Sequence, residues 1–584
     1  MRFPLVVSLV IGVVLFSACH KENSEKLTAQ EPGRKSPVDG IRISWDYSSG
    51  RRIASPIQGQ GYCGYARMIQ LHDERLACVY ESAYGNIELV MSTDLGNTWD
   101  SPQVVFESKD NIGMAAPEII ELSNHDVLIA CNARPRLPYT EDRKFGVKLR
   151  KSKDACQTWQ KELLIYNAES TFENGCWEPA MLQLPDGEIQ LFFANEAIYT
   201  HSSEQNISMF RSTDHGETWS SEPLIIGFRK NRRDGMPVPL YLHESNEILI
   251  AIEDNKTAEF KPAIYREKLS DNWSEGLISG EDLRRAYHPL RESLTNEIYA
   301  GAPYLARLST GEVLLSYQST WKRNLNWERA NMLVEIGDKT GRNFSHRSVP
   351  FEIPLSKSAL WNSLVVITDN TPVAITSTNA YASNSTEVWM KKGHVIPELT
   401  LPHNTPVVDA DLEEQCWSGT WPYFVGSQSE TYLRASICTD EDNLYVAVIV
   451  NDSNWTSDNE NYESDGIIFQ LDTERKGYEA PHTGIYEFHC GANDELRILQ
   501  GYFGDWKEVS ESSSIIKKSR IAENLYTLEM AIPLEFFDTK WGSVNKIGVN
   551  FILKNHSSQG IIYQDEISGN QFNQPFTWCP VRIK

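Results

Sequence analysis

An eight-residue pattern recurs three times at constant spacing. Ser92-Thr93-Asp94-Leu95-Gly96-Asn97-Thr98-Trp99 returns as Ser152-Lys153-Asp154-Ala155-Cys156-Gln157-Thr158-Trp159 and as Ser212-Thr213-Asp214-His215-Gly216-Glu217-Thr218-Trp219, with aspartates at 94, 154 and 214. A fixed period of this kind marks a repeat architecture, in which each unit buries its apolar face against its neighbours. Asp and Gly suit a tight turn, the carboxylate accepting nearby backbone N–H groups. Cys156 stands where the other copies have Gly, so the second turn is expected to be distorted.

A second repeat is offset from the first: a Pro, an apolar strand, a turn and another apolar strand. Pro117 to Cys131, Pro179 to Phe193, Pro237 to Ile252 and Pro303 to Tyr317 follow it, and Tyr65 to Tyr80 and Trp361 to Thr376 fit without the Pro. These make six units of about 60 residues, each reading as some four short strands. Closing such units into a ring removes their sheet edges. The expected fold is all-β, a six-bladed propeller over 42–395. The Ser-x-Asp-x-Gly-x-Thr-Trp pattern resembles the Asp box of sialidase-type propellers, which implies a structural outer corner. Beyond a Pro-containing linker at 396–408 the pattern changes. Alternating strands at 444–450, 466–472, 526–533 and 547–552 read as an antiparallel β-sandwich over 409–584.

The N-terminus reads as a targeting segment. Arg2 precedes an apolar run from Phe3 to Phe16 that is too short to span a bilayer. Ser17-Ala18-Cys19 resembles a bacterial lipobox, with Phe16 where Leu, Val or Ile is usual. That implies a signal peptide at 1–19, lipidation of Cys19, a polar tether at 20–41, and an exported lipoprotein held to the membrane of the cell envelope by its anchor. The nine other cysteines show no CxxC pair or zinc spacing and read as buried free thiols. A net charge of −24 excludes nucleic acid as a partner and fits a neutral poly- or oligosaccharide. The 16 Trp and 24 Tyr supply flat faces on which sugar rings can stack. A monomer is expected.

Propeller ligands sit at the central axis, so the chemistry is sought at equivalent positions of the Pro-strand repeat. Glu178, in Gly175-Cys176-Trp177-Glu178-Pro179, starts a strand, and Glu253 closes the apolar run Leu249-Ile250-Ala251-Ile252. Burial beside Trp177 and at the end of that run can tune the two carboxyls apart. Facing each other at about 5 Å they would suit retaining glycoside hydrolysis. Arg67, Glu118 and Arg134 fall at similar heights and are pocket candidates, as are Trp177, Tyr317 and Gln318.

The motifs around these residues resemble glycoside hydrolase family 93 over nearly the whole propeller. The carriers are Gly175-Cys176-Trp177-Glu178-Pro179 with Gln183-Leu184-Pro185-Asp186-Gly187, Gln205-Asn206-Ile207-Ser208, Gly235-Met236-Pro237-Val238, Gly301-Ala302-Pro303-Tyr304-Leu305, Leu314-Leu315-Ser316-Tyr317-Gln318 and Trp361-Asn362-Ser363-Leu364. The resemblance implies an exo-acting α-1,5-L-arabinanase with a retaining mechanism and no cofactor, Glu178 as general acid/base and Glu253 as nucleophile. The C-terminal region resembles carbohydrate-binding module family 9 through Asp411, Trp417, Asp442 to Val448, Asp452, Ser464-Asp465-Gly466 and Leu471-Asp472. Trp455, Trp506 and Trp578 could form its stacking platform, and its clustered aspartates a structural Ca²⁺ site. Two other readings stay open: an exo-sialidase, which needs an arginine triad (Arg67 with two of Arg134, Arg211, Arg266 and Arg307) and a Tyr–Glu pair, and a non-catalytic surface glycan-binding protein.

Overall fold

The structure, a computed structural model, describes residues 31–57, 61–418, 421–427, 431–452, 465–510, 514–556 and 562–583. The apolar leader, Cys19 and the first part of the tether lie outside the described residues. No helix among the described residues is long and apolar enough to cross a membrane.

The chain folds as a six-bladed β-propeller followed by a β-sandwich. The first two strands of the blades are Cys63–Gln70 with Leu76–Ser82, Ile112–Glu121 with Val127–Pro135, Cys176–Gln183 with Ile189–Asn195, Asp234–Leu242 with Glu247–Asp254, Ala300–Arg307 with Val313–Ser319, and Ala359–Ile367 with Thr371–Thr378. These hairpins coincide with the Pro-strand repeat. First strands of successive blades contact one another in a closed ring around the axis. The ring shuts because the start of the chain completes the last blade: Arg42–Trp45 and Arg51–Ala54 both pair antiparallel with Glu387–Ile396.

The Pro repeat has a physical cause. In every blade the first strand carries a β-bulge, two residues facing one on the second strand. The second bulge residue is Pro117, Pro179, Pro237 or Pro303 in four blades, and a bulge is where a sheet tolerates a missing N–H. The first bulge residue is Tyr65, Ala116, Glu178, Met236, Ala302 or Trp361, all at φ between 46° and 55°. The left-handed backbone at Glu178 is therefore a feature of every blade and not strain confined to one site.

Each Asp box lies between the third and fourth strands, away from the axis. Asp94, Asp154 and Asp214 accept hydrogen bonds from the N–H and hydroxyl of Thr98, Thr158 and Thr218, which hold their carboxyls down at about 2. The distortion expected at Cys156 is absent. Cys156 takes φ 71° and donates its N–H to Ser152 Oγ at 2.9 Å, as Gly96 (φ 87°) does to Ser92 Oγ at 2.8 Å. The surrounding hydrogen bonds impose the turn, and the Cβ in a left-handed conformation costs only about 1–2 kcal/mol.

The sandwich packs an eight-stranded sheet on a five-stranded one around a core that includes Val446, Phe469, Phe488 and Phe551. Two boundaries read from the sequence change. The linker enters the sandwich, Leu399–Thr400 pairing parallel with Cys579–Arg582. The end of the tether is also anchored there: Lys35 N–H donates to Gly477 O at 2.7 Å and Val38 N–H to Phe576 O at 2.9 Å. Arg42, fully buried, ties the ring closure to the sandwich by donating to Asn570 Oδ1 and Thr577 O. All nine described cysteines are free, Cys416 alone being partly exposed.

Candidate active site at the propeller axis

The bulges set the geometry of the axial mouth. A bulge leaves the N–H of its first residue outside the blade's own ladder, and a side chain from the preceding blade takes it. Tyr65 N–H donates to Ser377 Oγ (2.9 Å), Ala116 to Glu81 Oε2 (2.8 Å), Glu178 to Asn132 Oδ1 (2.7 Å), Ala302 to Glu253 Oε2 (3.1 Å) and Trp361 to Gln318 Oε1 (2.7 Å). The acceptors occupy one equivalent position near the end of each second strand. On blade three that position is Ala194. Glu253 thus has a bracing role between blades four and five besides any chemical one.

Glu178 and Glu253 both reach the mouth from adjacent blades. The Glu178 side chain is 19% exposed, with Arg134 Nη2 at 3.9 Å. Burial pushes its carboxyl up to about 8; Arg134 opposes this and the negative charge of Glu253 adds to it. Burial also raises the Glu253 carboxyl, opposed by the Ala302 N–H and by Arg233. The backbone of neighbouring blades has to come close for this. A Cβ at Gly301 would lie 2.4 Å from Tyr299 Oη and 2.9 Å from Glu253 Oε2, and one at Gly235 would lie 2.7 Å from Gln205 Oε1 and 3.3 Å from Glu253 Oε1. A side chain at either position would displace the ends of Glu253 and its neighbours.

The other sequence candidates divide. Arg134 is at the mouth, its guanidinium 5.1 Å from the Trp177 ring centroid and its Nε without a hydrogen-bond partner among the described residues. Arg67 and Glu118 directly follow the two bulge residues of their strands and are 3% and 7% exposed. They face each other at 3.6 Å, with Arg67 between the rings of Tyr65 and Tyr304. Burial lifts Glu118 to about 7 against the pull of Arg67. They support the floor of the mouth and do not line its surface, which corrects their assignment as sugar contacts. Trp177 is corrected likewise: its ring is buried against Phe145 and Phe172, and its N–H donates to Glu196 Oε2 at 3.1 Å. Tyr317 faces the opposite side of its strand and donates to Glu335 Oε1 at 2.6 Å. Gln318, fully buried, braces Trp361 and donates to Tyr299 Oη at 2.8 Å.

Sequence reasoning missed several residues. Glu196 accepts from Trp177 and Gln205 and pairs with Arg233, whose charge also acts on both glutamates. Across the mouth Tyr299, Trp327, Trp361 and Tyr65 form an aromatic arc with successive ring centroids 6.3, 6.3 and 5.9 Å apart. Tyr65 and Trp361 begin recognised repeat units, whereas Tyr299 and Trp327 lie outside them. Beside Arg134, a groove of about 470 Å³ opens between blades one and two, with Tyr62, Glu81 and Phe172 in its walls.

In the sandwich, Trp578 is fully buried, its N–H on Gln571 O, and so belongs to the core and to no surface platform. Trp506 is partly exposed and donates to Asn573 Oδ1; Trp455 lies outside the described residues. Of the aspartates considered for calcium, Asp411 pairs with Arg520 at 2.7 Å and Asp472 Oδ1 caps the N–H groups of Glu474 and Arg475. A separate group of carboxylates converges at Asp409, Glu414 and Glu529. Glu529 there accepts three N–H groups, from Trp417, Asp409 and Ala410, a bracing task in itself.

Residues 138–231 match the family model of a BNR repeat-like domain, and residues 408–584 that of the carbohydrate family 9 binding domain-like group. Endo-1,4-beta-xylanase A of Thermotoga neapolitana is 23% identical over 299 residues, 48% of this chain and 27% of the xylanase, so the match spans about a quarter of that relative. The GH93 alpha-L-arabinofuranosidase of Fusarium graminearum, solved with arabinobiose, is similar over 59% of this chain and 97% of its own (17% identity, TM-score 0.46). A family 9 carbohydrate-binding module of Caldicellulosiruptor kristjanssonii, solved with cellotriose, is similar over 32% of this chain and 93% of its own (16% identity, TM-score 0.26). The carbohydrate-binding family model thus covers the sandwich, and the repeat model lies within the propeller.

Proposed function

We propose that this protein is a retaining, exo-acting glycoside hydrolase of α-L-arabinofuranosyl chains. The observation that carries the reading is the pair Glu178 and Glu253 at one axial mouth, the first raised to about 8 by burial and by the charge of the second. A carboxyl in that range stays protonated at neutral pH and can serve as an acid, while its ionised neighbour serves as a nucleophile. Glu253 attacks the anomeric carbon as the glycosidic C–O bond breaks, and the leaving oxygen takes the Glu178 proton. The Glu178 carboxylate then accepts a proton from water, whose oxygen attacks the same carbon and releases Glu253. The arabinan class is supported by the motifs that resemble glycoside hydrolase family 93. Export with a lipid anchor on Cys19, and glycan binding by the sandwich, belong to the same reading.

A second reading, an exo-sialidase, draws on the Tyr299 hydroxyl lying beside Glu253. Against it, the arginines named for a carboxylate clamp, Arg134 excepted, have other work. Arg211 holds Glu188 and Asn272 O, Arg266 the carbonyls of Thr340 and Gly341, Arg307 pairs with Glu244, and Arg67 faces Glu118. Arabinose released from arabinan, with no sialic acid from sialyl-lactose, is the expected outcome of a substrate screen. Binding without turnover of any glycan would favour the non-catalytic reading.

A further inference from the structure

The face opposite the mouth, where each first strand turns into the second, carries another shared device. In blades one, two and three the last residue of the first strand accepts a backbone N–H from the turn of the blade before it. Gln70 Oε1 takes the Thr368 N–H (2.7 Å), Glu121 Oε2 the His72 N–H (2.8 Å) and Gln183 Oε1 the Ser123 N–H (2.7 Å). An amide suffices for this brace at 70 and 183, so the carboxylate at 121 has another reason to be there.

Two histidines from adjacent turns meet that carboxylate. His72 Nδ1 lies 2.5 Å from Glu121 Oε1, and His125 Nδ1 lies 3.8 Å from the same oxygen. The two rings pack face to face with centroids 3.9 Å apart, and one donor atom from each of the three residues lies within 4.8 Å of the other two. His125 sits at φ 67°, at a turn position that blades three and five give to Gly187 (φ 95°) and Gly311 (φ 108°), a backbone that favours glycine. Each of the three donates its N–H to the carbonyl of the Leu three residues back. Arg75, the cation of the same turn as His72, is held by Asp73 at 2.7 Å.

Two imidazole nitrogens and a carboxylate oxygen are the donor set of a zinc ion that keeps a position for water. Ligand atoms about 2.1 Å from a tetrahedral ion lie about 3.4 Å apart. The two nitrogen–oxygen distances here, 2.5 and 3.8 Å, bracket that spacing. Calcium and magnesium prefer oxygen ligands throughout and suit the set poorly. With the His72 and His125 side chains 43% and 59% exposed, the ion can enter from solvent. We propose that His72, Glu121 and His125 bind a Zn²⁺ ion that links the turns of blades one and two. The ion joins these turns only when the ring is folded, so it stabilises the propeller. The site is remote from Glu178 and Glu253 and takes nothing from the hydrolase reading.

The test is a calorimetric titration of the full chain, freed of metal with EDTA, with zinc chloride, alongside thermal melts with and without the ion. The wild type is compared with Glu121→Gln and His125→Gly. Glutamine at 121 keeps the brace that Gln70 and Gln183 make, and glycine at 125 is what blades three and five carry, so both variants should melt like the wild type without metal. The wild type should bind Zn²⁺ with Kd below about 10 μM and melt higher when loaded. Each variant should bind about 100-fold more weakly, taking up one ion fewer per chain at that concentration, and lose the rise in melting temperature. Co²⁺ in place of zinc should give the wild type the visible absorption of a four-coordinate site, absent from both variants. Zinc stoichiometry and affinity left unchanged by either variant would put the ion elsewhere and overturn the proposal, as would a wild type that binds no zinc.

Discussion

Blades two to four and blades five, six and one reach the axial mouth on the same bulged backbone but bring different side chains. The first group contributes Arg134, Glu178, Arg233 and Glu253, and the second Tyr299, Trp327, Trp361 and Tyr65. The left-handed bulge is shared all round the ring, and in five of the six blades the blade before it takes the N–H of the bulge residue. Chemistry then enters by substitution into that device. Gln318 and Glu253 make the same brace, one with an amide and one with a carboxylate, and Glu178 holds a bulge position that the five other blades give to Tyr, Ala, Met, Ala and Trp. A repeat fold can thus specialise one arc of its mouth for charge and the other for apolar contact without altering the scaffold.

This contrast can be broken most severely on the charged side. Glu178→Gln and Glu253→Gln should each lower kcat by about 10²–10⁴-fold with an unchanged melting profile, because glutamine keeps the shape and, at 253, the Ala302 brace. Glu253→Ala should lose the brace as well, and chemical denaturation should find it about 1–3 kcal/mol less stable than Glu253→Gln. On the aromatic side the expected effect is smaller: Trp327→Ala should raise KM for an arabinan oligosaccharide several-fold with kcat little changed. The smallest concerns pH. Activity requires Glu178 protonated, so kcat/KM should fall as pH rises through about 8 and, on the acid side, as Glu253 gains its proton. Arg134 favours the charged form of Glu178, so Arg134→Gln should move the alkaline limb upward. An unmoved alkaline limb would show that Arg134 does not act on that carboxyl.

Much of this was legible in the chain. The Asp boxes and Pro repeats define six units, and the bulges explain why Pro recurs where it does. Glu178 and Glu253 stood out because a carboxyl beside Trp177, or at the end of an apolar run, breaks the local pattern. The failures have one common origin. Arg67, Glu118, Tyr317 and Gln318 were read from height along a strand, but height fixes neither the face nor the depth, and one residue along a strand turns Gln318 into Tyr317. The arc was hidden because Trp327 sits on a loop with no repeat to flag it, and Arg233 and Glu196 because their significance is a contact between distant turns. Cys156 misled for a different reason, since a turn fixed by several hydrogen bonds can tolerate a residue that propensity disfavours.

The central claim is that Glu253 attacks the sugar while Glu178 handles the proton. The most direct measurement is covalent trapping with a 2-deoxy-2-fluoro-arabinofuranosyl fluoride, followed by peptide mass spectrometry of the inactivated protein. The account predicts a single glycosyl adduct on Glu253. An adduct on Tyr299 or on Glu178, or continued turnover of arabinan with no adduct, would contradict it.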